Sequence, residues 1–246
     1  GSNDVKTWQQ QHFHSSCRDE YMNLHSPTAP IPLTVVDQDA DGTQVEYTDI
    51  ALANGTYWGS PAKICKGDAL LNLNLEEAGT ATRLCLDLLI DHWNEVVFGP
   101  CVEGAVFELK QKQQPVRVSM LDGYLTIFFG TTGEAHFHLC TDVHRGLGKQ
   151  GVHPEVAHRR QCARIAFYRE FGPKQCSPGS WGIRMWNGNK VQMCSFFLPS
   201  PFLDDRQKPQ KPDWSRLKLW NELRRRYLNE TVPQPIPETT PTPYCS

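Results

Sequence analysis

No glycine-rich phosphate loop, no GxSxG elbow and no HExxH helix occurs anywhere in the 246 residues. Nucleotide-cradling, serine-hydrolase and zincin readings therefore have no support. Charge of one sign is missing too: 25 Lys and Arg stand against 27 Asp and Glu, a formal net charge of -2. A nucleic-acid or anionic-membrane binder would normally carry a basic excess, so neither partner is expected. Long apolar runs are absent. A stretch such as 84–90 is short and carries Asp87, far too little to cross a bilayer. Cysteines number nine, an odd count with no CxxC pair, so no closed disulfide framework can be read off. Reduced thiols in a cytoplasmic protein are the expectation. Two sequons, Asn54-Gly55-Thr56 and Asn229-Glu230-Thr231, keep secretion as the alternative.

What is present is an ordinary globular composition. With 39% hydrophobic and 21% charged residues the chain is no disordered polyelectrolyte and can bury a substantial core. Asn3 or Asp4 can cap a helical arm over 4–24, which the Pro27-Thr28-Ala29-Pro30 segment ends. Two short β-like runs, 33–36 and 44–47, flank Asp37-Gln38-Asp39-Ala40-Asp41-Gly42. Those acids resemble half a calcium loop, but the twelfth position is Thr48 rather than a bidentate Glu, so a solvated turn is the reading.

From 80 to 98 the apolar residues Leu84, Leu88, Trp93 and Val97 recur at helical spacing, and Gly99-Pro100 supplies a stop. Four runs with β character follow at 102–109, 116–121, 124–129 and 134–141, with Asp122-Gly123 as a hairpin signal. Short connections make these an antiparallel meander, because a parallel return needs a long crossover. Pro154 opens a helix expected over 154–171, and 181–198 reads as a hairpin across Asn187-Gly188-Asn189. Asp213 caps a last amphipathic helix over 213–229. Its Arg224-Arg225-Arg226 run reads as a solvated, dipole-complementing end. A Pro/Thr-rich tail, 231–246, closes the chain. The expected fold is a single α+β domain over 1–246. Its largely antiparallel sheet has about six strands, from meander 102–141 and hairpin 181–198, with helices on one face or rim.

Chemistry concentrates in one stretch. Five of the nine histidines, at 136, 138, 144, 153 and 158, fall between positions 136 and 158. In Glu134-Ala135-His136-Phe137-His138-Leu139-Cys140 a strand puts Ala135, Phe137 and Leu139 on one face and Glu134, His136, His138 and Cys140 on the other. At roughly 3.3 Å per residue Glu134 and Cys140 stand about 20 Å apart, whereas His136 and His138, about 6.6 Å apart, can converge on one ion. Glu134 and Cys140 are then neighbours that complete or tune the site. If 154–171 is helical, His158 and Cys162 share a face and offer a further ligand. His144 and His153 sit in a Gly-rich connection and read as exposed.

Gly130, five residues and His136-x-His138 resemble the opening of the first cupin motif. Cupins are β-barrels that hold iron, manganese, zinc or copper for oxygenase and isomerase chemistry. Where that family has Glu, Asp142 stands at best, and the second motif with its third His is missing. The resemblance spans about twenty residues and serves as an analogy for two strand histidines on one metal.

The leading reading is a metal-dependent small-molecule enzyme, an oxygenase, lyase or hydrolase. His136, His138, Cys140 and His158 are its metal candidates, for Fe, Zn or Cu, and Glu134 and Arg184 its catalytic candidates. The alternative is a binding protein for haem or another planar ligand, held between a strand His and the Trp-rich hairpin, with Trp186 against the cofactor and Arg184 as a clamp or stacking partner. A third reading is a non-catalytic interaction protein with structural histidines. The expected partners are a small molecule and, as an option, further copies of the chain.

Overall fold

The runs 116–121, 124–129 and 134–141 become strands, as their spacing implies, whereas 102–109 breaks up: Val102 ends the strand Val97–Val102, and only Ala105–Val106 and Leu109–Lys110 are extended beyond it. A computed structural model describes residues 35–38, 44–55, 64–65, 77–102, 104–146, 150–171 and 178–229. The helical arm 4–24, the tail 231–246 and most of the acidic loop 37–42 lie outside these residues.

In chain order the strands are β1 (Val35–Gln38), β2 (Gln44–Asp49), β3 (Ile64–Cys65), β4 (Val97–Val102), β5 (Ala105–Val106), β6 (Leu109–Lys110), β7 (Arg117–Leu121), β8 (Tyr124–Phe129), β9 (Ala135–Cys140), β10 (Cys162–Phe171), β11 (Pro178–Asn187) and β12 (Gln192–Phe197). The α-helices are α1 (Thr80–Leu86), α2 (Pro154–Arg160) and α3 (Lys218–Leu228). The protein is a single α+β domain of antiparallel sheets and helices. Two sheets are present instead of one, with eight and four strands. Packing gathers into two compact units, each built from separated stretches of chain: 1–49, 166–183 and 197–246 form one, 50–165 and 184–196 the other.

In the first unit β2 lies between β1 and β10, with Val35 opposite Tyr47 and Ala166 opposite Asp49. Helix α3 buries Leu219, Trp220 and Leu223, and the Trp220 ring meets Phe167 edge-on at 5.2 Å. Asp213 caps the preceding turn by accepting from the Ser215 amide at 3.1 Å, and Asn229 ends α3 in the left-handed conformation. The arginine run is not wholly solvated. Arg224 is buried, its guanidinium over the rings of Phe167 and Trp220, while Arg226 pairs with Glu222 at 3.0 Å.

The second unit holds the strand order β12-β4-β5, with β6 also on β4, and the separate four-stranded sheet β3-β7-β8-β9. Its core includes Leu84, Leu88, Leu89, Phe98, Leu125, Ile127 and Phe196. Phe98 stands at the centre, with ring centroids 5.6 Å from Phe129, 5.3 Å from Phe137 and 6.1 Å from Phe196.

Two helices are shorter than their periodicity suggests. The 80–98 segment runs as α1, continues as a π-helical turn over Asp87–Asp91 and is extended again from Val97. Gly99-Pro100 marks a change of partner within β4, because Val97 and Phe98 pair with β6 whereas Cys101 and Val102 pair with β5. A Cβ on Gly99 would lie 1.5 Å from the Phe107 carbonyl oxygen, and Pro100, lacking an amide hydrogen, fits the gap between the two ladders. The 154–171 segment is helical only to Arg160 and becomes strand β10. Strand β10 lies between β2 and β11, with Ile165, Ala166, Phe167 and Tyr168 all buried. A strand covered on both faces carries an unbroken apolar run, which spacing alone does not separate from a buried helix.

Candidate functional site

Strand β9 carries the two central histidines. It pairs antiparallel with β8, and β8 with β7, so three rungs cross the outward side of the sheet: Arg117–Phe128–His136, Ser119–Thr126–His138 and Leu121–Tyr124–Cys140. The opposite side presents Val118, Met120, Leu125, Ile127 and Leu139, all buried, together with Phe137 against Phe98. The alternation read from the sequence is therefore the one the sheet uses.

His136 and His138 are both exposed, on the same face, with ring centroids 5.8 Å apart and planes at 90°. Each ring has one nitrogen engaged. Nε2 of His136 donates to the Gly133 carbonyl oxygen at 2.8 Å, and Nδ1 of His138 lies 2.9 Å from the Thr126 hydroxyl. One nitrogen per ring is left for a ligand: the hindered Nδ1 of His136, beside its own Cβ, and the outer Nε2 of His138. Phe128 lies between Arg117, whose guanidinium is 3.7 Å from the ring centroid, and His136, whose ring is 4.5 Å away edge-on.

The other predicted ligands do not join this pair. No group of three or more His, Cys, Asp or Glu among the described residues is arranged to hold a metal ion. Cys140 is buried, its thiol donates to the Asp142 carbonyl oxygen at 3.5 Å, and burial pushes it up to about 12, with Asp122 adding to the effect. His158 sits on α2 against the turn of the β11–β12 hairpin: its carbonyl accepts from the Gly188 amide at 3.1 Å, and a Cβ on Gly188 would lie 2.5 Å from its ring. Cys162 is no longer its helical neighbour, because the helix has ended; the thiol is buried and also pushed up to about 12 by that burial.

Glu134 does not act as a proton acceptor near neutrality. Its carboxylate folds back over the 130–134 turn, where it accepts from its own amide, from the Thr132 amide at 3.2 Å and from the Thr131 hydroxyl at 3.0 Å. Those bonds, its own amide's first, hold the group down at about 2, too weak a base for proton abstraction at pH 7. The turn needs Gly130, at φ +83°, since a Cβ there would meet a Glu134 carboxylate oxygen at 1.8 Å.

The Trp-rich hairpin divides by face. Trp181, Ile183 and Met185 are buried; Arg184 and Trp186 are half-buried on the other side of β11. The Trp186 ring is covered by the Arg164 guanidinium at 4.4 Å, and Arg184 is already engaged with neighbours. Asp142, which stands where cupins have Glu, is buried and accepts from the amides of Gly55 at 2.6 Å and Val143 at 2.7 Å. It anchors the 53–55 segment.

Sequence reasoning missed a second polar cluster. Asp122, buried at the β7–β8 turn with φ +49°, accepts from the amides of Arg145 at 2.8 Å and Gly146 at 2.9 Å and pairs with His144 Nδ1 at 2.9 Å. His144 is thus not the exposed residue its Gly-rich surroundings suggest: its side chain is 10% exposed. Its Nε2 meets Arg160 at 3.1 Å, and its ring lies edge-on to Tyr124. Asp-Gly at a hairpin was legible in the sequence, but no local signal joins positions 122, 144 and 160.

Residues 67–229 match the family described as "Family of unknown function (DUF7676)", and that match covers more than half of the chain. No curated protein matches. A solved structure described as "Crystal structure of ChuX" aligns with a TM-score of 0.40 and 12% identity, covering 70% of this chain and 79% of that one; so distant a likeness carries no argument. No helix among the described residues is long and apolar enough to cross a membrane, which leaves β-barrels unaddressed. The chain belongs to DUF7676.

Proposed function

We propose that this member of DUF7676 is a binding protein for a planar, anionic small ligand of the haem type, received on the outward side of β7-β8-β9 with His138 as the axial ligand. The observation that carries this is the tethering of the two imidazoles. Thr126 fixes the His138 ring through Nδ1 and leaves Nε2, the less hindered nitrogen, facing outward. His136, on the same face 5.8 Å away, has spent its Nε2 on Gly133 and serves as a polar neighbour. Arg117, stacked over the Phe128 ring, offers a cation for a carboxylate.

A metal-dependent enzyme has less behind it. Two imidazoles are too few to fix a catalytic ion by themselves, and Glu134 is held as a poor base. A single axial imidazole suffices for haem, because the macrocycle supplies the other four donors.

Hemin titration of the full chain tests the reading. A saturable Soret band at one equivalent is expected, weakened at least about tenfold in His138→Ala and less in His136→Ala and Arg117→Ala. All three side chains are exposed, so the variants fold. Absence of a saturable band, or an identical band in the His136→Ala/His138→Ala double variant, refutes the proposal and leaves the histidines structural.

A further inference from the structure

The cluster at the far end of the same sheet is built differently. Arg160, exposed at the end of α2, donates through Nη1 to Nε2 of His144 at 3.1 Å, close to the Tyr124 phenol. A guanidinium has no acceptor, so Nε2 of His144 must be the lone-pair nitrogen. The ring's one N–H is then on Nδ1, where it donates to the Asp122 backbone carbonyl oxygen at 3.3 Å, with the Asp122 carboxylate 2.9 Å from the same nitrogen. Asp122 is itself consumed by the Arg145 and Gly146 amides and by His144. Its negative charge therefore reaches Arg160 only across a neutral imidazole. Tyr124 adds no charge, because burial, then the neighbouring Cys140, pushes its phenol up. Among the described residues no carboxylate pairs with Arg160.

The arrangement is a guanidinium held by an uncharged imidazole acceptor beside an uncharged phenol, with further N–H donors left over. In the sequence Arg159 adjoins it. An arginine held in place without a counter-charge is the usual design for a planar oxyanion, which takes two parallel N–H bonds from the fork.

We infer that Arg160, positioned by His144 beside Tyr124, is an oxyanion-binding residue for a ligand's carboxylate or phosphate group, with Asp122 fixing the tautomer of His144 that makes this possible. The site stands apart from the His138 reading: Tyr124 is one rung beyond Thr126 along β8, and neither His136 nor His138 contributes to it.

Inorganic phosphate and, separately, acetate are titrated into the full chain while the side-chain 15N signals of histidine and arginine are followed by NMR. Saturable shifts of the His144 and Arg160 signals are expected; tighter phosphate binding identifies a phosphorylated ligand, tighter acetate binding a carboxylate. Arg160→Gln is expected to weaken binding at least about tenfold, and Arg160→Lys, which keeps the charge but loses the fork, about threefold or more. Arg159→Gln leaves affinity unchanged within about twofold, being a screened surface charge. His138→Ala also leaves it unchanged, which separates this site from the haem reading. No saturable shift with either anion overturns the proposal, as does an equal loss in Arg159→Gln and Arg160→Gln, the mark of a diffuse basic surface.

Discussion

The two sides of β7-β8-β9 share one backbone and differ in almost everything else. Inward, Val118, Met120, Leu125, Ile127 and Leu139 are fully or nearly fully buried. Outward, Arg117, His136 and His138 are exposed around a half-buried Phe128. Because successive residues of a strand alternate sides, the same seventeen residues can specify a core and an exposed polar surface at once. Burial belongs to one side and exposed polar groups to the other, and the separation can be tested by substitutions on adjacent residues.

The largest effect is expected at Ile127, which has 0% exposure. Ile127→Ala should lose about 3–4 kcal/mol in urea unfolding, whereas His138→Ala should lose less than about 0.5 kcal/mol. Comparable losses at the two positions would break the division of labour. Asp122→Ala is the next test, since it strands two loop amides, removes the carboxylate beside His144 and also places alanine at φ +49°. A loss of about 2 kcal/mol is expected, with heightened hydrogen exchange at Arg145 and Gly146. An unchanged midpoint would show that the cluster does not hold the 143–146 loop.

The buried thiols sharpen the contrast through pH. Cys140 and Cys162 are both pushed up to about 12 from an ordinary 9.0, by burial first of all. In the folded chain they bind protons more tightly than in the unfolded one, so their contribution to stability is intact below about 9 and declines as pH rises toward 12. Native protein at pH 8 should therefore label slowly with a thiol reagent at these positions and rapidly once unfolded. Fast native labelling of Cys140 would show that the sheet opens at the Cys140 end of β9. The smallest effect is expected at Glu134. Its carboxyl 13C signal should titrate near 2, not 4.5, and return toward the ordinary value in Thr131→Ala. Since the folded value lies below the unfolded one, its contribution is present above pH 4.5 and lost as pH falls toward 2.

Legibility varied with the range of the interaction that decides each feature. The β7–β8 hairpin was readable from Asp122-Gly123, where φ angles of +49° and +81° need residues of that kind. The Asp213 cap and the β11–β12 turn were readable for similar local reasons. Strand β10 was not. Cys162 to Phe171 carries the apolar density of a buried helix, and only its neighbours β2 and β11 make it a strand. At the site, the shared face of His136 and His138 followed from spacing. The cover of Arg164 over Trp186 and the attachment of His158 to Gly188 depend on chain segments that meet only after folding.

By itself the amino-acid sequence determined the α+β character, the antiparallel meander and the side of β9 on which each imidazole lies, because period-two alternation and turn chemistry act over a few residues. Only the tertiary structure decided which nitrogen of each ring stays open, which carboxylates are already engaged, and that Asp122, His144 and Arg160 form a chain. Hydrogen-bond partners are chosen by distances in space, and residues 22 and 16 positions apart carry no periodic trace of meeting.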